Sequence, residues 1–260
     1  MEKNAVIAKK SGGIKTIIIN RESRRNALDP DTIKVLSEIL DETGKEKDVR
    51  AVILTGAGNA FCAGADLKWV PTADEAQHFD QRIWLFQNAI KLLYNLPVPT
   101  IAAIRGHAVG YGLSMALACD IRIASDDAKL GMLFTKIGLM PDGGATYFLT
   151  RLVGVGKALE LTYTADIVDA NEALRIGLVN RVVKQQALEH EVQGLAKRLA
   201  KGAPVAYRNA KTTIHAGVEL DLDRMLEKEV TGQEQCTRTA DFMEGVSAFL
   251  QKRTPEYKGE

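Results

Sequence analysis

TIAAIRGHAVGYGLSMALACDIRIA, residues 100–124, is the stretch whose reading decides the architecture. TIAAI is an uncharged run after Pro99 and reads as a strand buried on both faces. GHAVGYG then supplies glycines where the chain must turn, LSMALA makes a short helix of small residues, and DIRIA returns to strand composition. The same order of buried strand, glycine loop and helix begins earlier, at AVILT (51–55) followed by GAGNAFCAGAD (56–66). Its recurrence predicts an α/β core of repeated ββα turns, not a regularly alternating sheet.

Outward from these two units the chain divides simply. Residues 5–9 and 15–20, around Ser11-Gly12-Gly13, read as a hairpin. Asp29-Pro30 places an N-cap before a proline at the first helical position, and Ile33, Leu36 and Leu40 recur at helical spacing, so a helix is expected to end near Gly44. Thr72 and Glu75 resemble a capping box opening a helix that runs toward Tyr94, where LPVP breaks it. Beyond Ala145 the pattern is mostly helical: TYFLTRLVG, GKALELTYT and ANEALRIG, a strand VNRVV, then amphipathic stretches over 186–199, 204–216 and 221–250. The expected division is a core over 1–200 and a C-terminal helical region over 201–260, packing on the core or on a neighbouring subunit.

Composition narrows the functional classes. The 260 residues carry 34 Lys plus Arg against 33 Asp plus Glu, so no global field attracts nucleic acid or an acidic membrane, and any anion must be met locally. Cys62, Cys119 and Cys236 are odd in number and far apart, which excludes a disulfide framework and CxxC chemistry and fits a reducing cytoplasm. No targeting segment is expected, no run is long enough for a membrane span, and the four histidines show no metal-ligand spacing.

The chemistry is expected in the loops. Taken singly, the glycines around 63–66 and 110–112 account for tight turns. Taken as a pair, they place unpaired backbone N–H groups where an oxyanion hole would need them. GAGNAF also partly mimics a dinucleotide fingerprint, although Phe61 takes the place of its third glycine and CAGAD replaces the helix start. In IGLMPDGGAT, residues 137–146, Asp142 sits between a proline and two glycines, on a tight turn beside apolar residues. It is either a cap for the helical stretch beginning near Ala145 or an acid with a chemical task.

NRESRRNAL (20–28), AFCAGADL (60–67), GHAVGYGLSMALACDIRIA (106–124), GLMPDGGATYFLTRLVG (138–154) and EGVSAFLQKRTPEY (244–257) together resemble the enoyl-CoA hydratase/isomerase family, the crotonase superfamily. The resemblance implies a crotonase-like fold with a C-terminal trimerisation region, assembled as a homotrimer or a homohexamer built as a dimer of trimers. It implies an acyl-CoA thioester as substrate, with coenzyme A arriving as part of that substrate and no separate cofactor or metal. The implied oxyanion donors are the backbone N–H groups of Ala65 and of Tyr111, which follows Gly110 in the second loop. The backbone around Ala63, Asp66 and Leu67 would meet the adenine of coenzyme A, and Arg24 or Arg25, with Lys252, would meet its phosphates.

Hydratases of this family use two glutamates, and their positions here fall on Ser114 and Phe134. Ser114 is expected to be a packed small residue, and Phe134 a wall of an apolar acyl pocket. Asp142 matches the aspartate of double-bond and ring isomerases in the family, with the ring-epoxide isomerase of phenylacetate breakdown especially similar; a dehalogenating branch places a nucleophile there. The expected reaction is enoyl-CoA double-bond isomerisation through a dienolate, with Asp142 carrying the proton. Hydration by a single carboxylate is the alternative within the family, and non-catalytic acyl-CoA binding the alternative outside enzymology.

Overall fold

The computed structural model describes residues 4–69 and 79–260. Strands β1 (Val6–Ser11) and β2 (Ile14–Ile19) form the expected hairpin, and β3 (Ala51–Gly56), β4 (Thr100–Ile104), β6 (Ile121–Ser125) and β9 (Arg181–Val183) continue from β2 in parallel, in the order β1-β2-β3-β4-β6-β9. A second, smaller sheet is made of β5 (His107–Val109), β7 (Lys129–Gly131) and β8 (Ile167–Asp169). Each ββα turn therefore places one strand in the large sheet, one in the small sheet, and then a helix. Thus β4 and β5 lead into α3 (Tyr111–Ala118), while β6 and β7 lead into α4 (Ala145–Thr164). The segment after β3 joins the small sheet through a single parallel bridge, Cys62 to Ala108.

The uncharged strands are explained by cover on both faces. Successive side chains of a strand point to opposite sides. Val52, Leu54, Ala102 and Ile104 enter the main core with helix α1 (Pro30–Lys45), helix α2 (Phe79–Tyr94) and α3. Ala51, Ile53, Ile101 and Ala103 pack on Leu188, Val192 and Leu195 of helix α6 (Leu188–Ala200). Helix α1 starts as expected, the Asp29 carboxylate accepting from the Thr32 N–H at 2.8 Å with Pro30 at the first position. The expected capping box at Thr72 and Glu75 lies outside the described residues.

The C-terminal region contributes α7 (Pro204–Ala216), α8 (Leu222–Thr237) and α9 (Ala240–Leu250), following the short α5 (Ala170–Arg175) and α6. Helix α7 docks on the core through Lys211, whose ammonium lies 2.9 Å from the half-buried Asp120 carboxylate, and through His215, stacked on Tyr94 at 4.2 Å between centroids. Arg50 of the core donates to the carbonyls of Gly202 and Tyr257 at 3.0 and 3.2 Å, holding the final residues back against the sheet. A wide apolar groove of about 1240 Å³ runs between α7, α8 and α9, lined by Ile214, Leu226, Val230, Phe242, Val246 and Phe249 among others. Among the described residues, no helix is long and apolar enough to cross a membrane.

Candidate active site

A cavity of about 300 Å³ opens between the two glycine loops, α2, and the segment leading into α4. The first loop is held from beneath by residues the motif NRESRRNAL supplies. Asn26 is fully buried with φ +60°, and its side-chain amide donates to the carbonyls of Ala57 and Ala60 at 2.9 and 2.7 Å. Arg21, also buried, donates to the Ala27 carbonyl and pairs with the Asp29 carboxylate at 2.8 Å and that of Asp66 at 3.4 Å. Backbone bonds complete the cradle: Leu28 N–H to Gly64 O at 2.8 Å, Asp66 N–H to Leu28 O at 2.8 Å, and Ala63 N–H to Arg25 O at 3.0 Å.

The two loops meet closely. Cys62 N–H donates to His107 O and Val109 N–H donates back to Cys62 O, at 2.9 and 3.1 Å. Gly112 has no room for a side chain, since a Cβ there would lie 2.3 Å from the Cys62 carbonyl oxygen. Gly64 is constrained by its φ of +93° and by a tight contact, since a Cβ would fall 3.0 Å from Val109 O and 3.5 Å from the Tyr111 nitrogen. The N–H groups of Ala65 and Tyr111 have no acceptor among the described residues, and both residues line the cavity. Tyr111 N–H belongs to the first turn of α3, where helical geometry leaves donors unpaired. This arrangement opens no helix after GAGNAF; the chain bridges to the small sheet and then makes one 3-10 turn, Leu67–Trp69, so the dinucleotide fingerprint does not form.

Asp142 enters from the other wall. A 3-10 turn, Leu133–Ile137, ends in the left-handed Gly138, and Pro141 is followed by Gly143 and Gly144 at φ +61° and +72° before α4 begins. Gly144 occupies the N-cap position of α4 with no side-chain cap, so Asp142 does not serve as that helix's cap. Its carboxylate accepts no hydrogen bond among the described residues, one of its oxygens is fully buried, and it lines the cavity. Burial alone pushes the carboxyl up to about 6, because the charged form loses water without gaining a partner. The other carboxylate of the described lining, Asp66, is tied to Arg21 and to the Lys68 N–H. Hence the cavity has one unpaired acid among the described residues.

The remaining expected residues separate into two groups. Ala63, Ala65, Asp66, Leu67, Gly110, Tyr111, Phe134 and Asp142 all line the same cavity. Phe134 is buried, its ring 4.0 Å from where a Gly110 Cβ would sit, and with Phe86, Leu133 and Ile83 it makes an apolar wall. Ser114 is fully buried, its hydroxyl donating to the Asp142 backbone carbonyl at 2.9 Å. The Tyr111 ring is turned away from solvent, its hydroxyl donating to Phe86 O at 2.6 Å. Arg24, Arg25 and Lys252 are exposed and lie outside the lining. Arg21, Asn26, Arg82 and Lys136 were not anticipated. The longer reaches, Asn26 to Ala57 and Ala60 and Arg21 to Asp66, join distant segments and so cannot be read from the motif that holds both residues, and nothing marks Arg82 on its helix. Cys62 is buried, with its thiol pushed up to about 12 by desolvation, which fits an inert filler. No group of metal-binding side chains occurs among the described residues.

Known proteins are similar to this chain in sequence and in fold. The family model described as enoyl-CoA hydratase/isomerase matches residues 9–260. A short-chain-enoyl-CoA hydratase of Clostridium acetobutylicum is 38% identical over 258 residues, covering 98% of both chains. A mitochondrial methylglutaconyl-CoA hydratase of Mus musculus is 40% identical over 257 residues, covering 95% of this chain and 80% of the relative. The crystal structure of an enoyl-CoA hydratase from Bacillus anthracis superposes with a TM-score of 0.93 at 39% identity, covering 98% of this chain and 99% of that one.

Proposed function

The chain belongs to the enoyl-CoA hydratase/isomerase family and has the crotonase fold, and from that premise we propose that it moves a carbon–carbon double bond within an acyl-CoA thioester. The thioester oxygen would lie against the Ala65 and Tyr111 N–H groups. Asp142 would remove a proton from a carbon activated by that thioester, the electron pair spreading through a dienolate onto the carbonyl oxygen. The same carboxyl, its proton exchanging with solvent, would then deliver a proton at the far end of the conjugated system, re-forming the thioester carbonyl. Two preorganised donors lower the cost of the enolate charge, and a carboxyl near 6 exchanges protons readily at neutral pH.

The observation that carries this reading is the single unpaired carboxylate in the described cavity. One acid suffices to take and deliver a proton, and the two positions that the resemblance assigns to the hydratase glutamates hold the buried Ser114 and the apolar Phe134. The resemblance of the motifs to ring-epoxide isomerases would put their aspartate at Asp142. Hydration is a second reading because the relatives from Clostridium acetobutylicum and Mus musculus are named hydratases. In water labelled with oxygen-18, 3-enoyl-CoA substrates should convert to 2-enoyl-CoA without label. Label appearing in a 3-hydroxyacyl product at a comparable rate would decide for hydration.

Coenzyme A would lie along Ala63, Asp66 and the exposed Leu67, with Arg24, Arg25 or Lys252 available to its phosphates, and no other cofactor would be required. We also assign the groove on α7–α9 to a subunit interface, giving a trimer or a dimer of trimers.

A further inference from the structure

Helix α3 does two things at one end of the cavity. Its first residue, Tyr111, carries one of the unpaired N–H groups, and Ser114, three positions on, lies on the same face. Both contact the turn that carries Asp142. The Ser114 hydroxyl donates to the Asp142 carbonyl at 2.9 Å, sharing that oxygen with the Ala145 N–H at 3.1 Å. Gly143 packs so closely that a Cβ would come within 2.9 Å of Ser114 Cβ and 3.0 Å of the Tyr111 ring. The unpaired carboxylate therefore hangs on a backbone segment clamped against the helix that supplies the donor.

We propose that Ser114 is a positioning residue: its buried hydroxyl fixes the main chain of Asp142, and through it the distance between the proton-carrying carboxylate and the thioester oxygen's donors. This deepens the reading of Asp142 as the base and rests on it. Ser114 itself touches no reacting atom, since its proton is directed at a carbonyl behind the carboxylate. An error of about 1 Å in such a placement costs on the order of 100-fold in rate.

The test is a double-mutant cycle read by solvent deuterium exchange into the acyl carbons of an enoyl-CoA, an assay indifferent to whether the net reaction is isomerisation or hydration. Ser114→Ala should slow exchange on the order of 10-fold or more, with KM for the thioester held within about twofold, because the oxyanion donors and apolar walls remain. In the Asp142→Asn background the same substitution should cause no further loss. Ser114→Cys, which keeps the buried volume and a weaker donor, should fall between, and it serves if the alanine variant does not fold. Losses that multiply across the cycle, or Ser114→Ala at the wild-type rate beside a slow Asp142→Asn, would overturn the positioning role alone. Asp142→Asn at the wild-type rate would instead remove the base, and Ser114's role with it.

Discussion

At Asp142 a carboxyl is held near 6 by desolvation with no charged partner among the described residues, so what suits it to proton transfer also burdens the fold. Below about pH 3 the group is mostly protonated both folded and unfolded and has little differential effect. As pH rises through 4 to 6 the unfolded chain releases its proton first, and stability falls; above 6 the full cost is present. Two pKa units correspond to at most about 3 kcal/mol. Thermal melts of Asp142→Asn should accordingly exceed wild type at pH 7.5 and converge on it toward about pH 3. An equal melting difference at both pH values would show that desolvation of this carboxylate is not what the substitution relieves. The acid itself was legible because Pro141 and the two following glycines mark an exceptional turn. Arg21 was not, because its partners Asp29 and Asp66 are brought to it only by the fold.

Among the elements, the long ones were readable, and of the three-residue strands only β9, inside VNRVV, was read. AVILT and TIAAI became the two central strands, and the alternation of their side chains between two cores explains why neither shows polar alternation. The short strands β5, β7 and β8 fall in stretches read as loop or left unassigned, since three residues carry no periodic signal. They nevertheless decide where the site forms. β5 pairs with β7, bridges to Cys62, and ends at Gly110, so it sets the second glycine loop against the first. TYFLTRLVG and GKALELTYT, read as separate stretches, form one helical run interrupted at Gly154, whose φ of +76° and ψ of 163° break the helix. The proximity of the two loops was expected from their resemblance to known motifs. The reason for it, the missing side chain at Gly112 against the Cys62 carbonyl, is visible only in three dimensions.

For the whole molecule, the C-terminal helices expose more apolar surface than an isolated protomer keeps comfortably in water. Phe249 is 84% exposed and Leu250 75%, and both border the groove on α7–α9. Sequence showed these helices to be amphipathic without saying what their apolar faces cover. Sedimentation should give a mass of three or six chains, and Phe249→Glu combined with Val230→Glu should reduce it toward one; a wild-type protein that sediments as a monomer would remove the interface. The central claim, that one acid works opposite two backbone donors, is tested most directly by deuterium exchange into the acyl carbons of an enoyl-CoA. Wild type should exchange with an acid limb near pH 6, and Asp142→Asn should lose on the order of 100-fold or more at every pH with thioester binding retained. Exchange by the asparagine variant at the wild-type rate would contradict it.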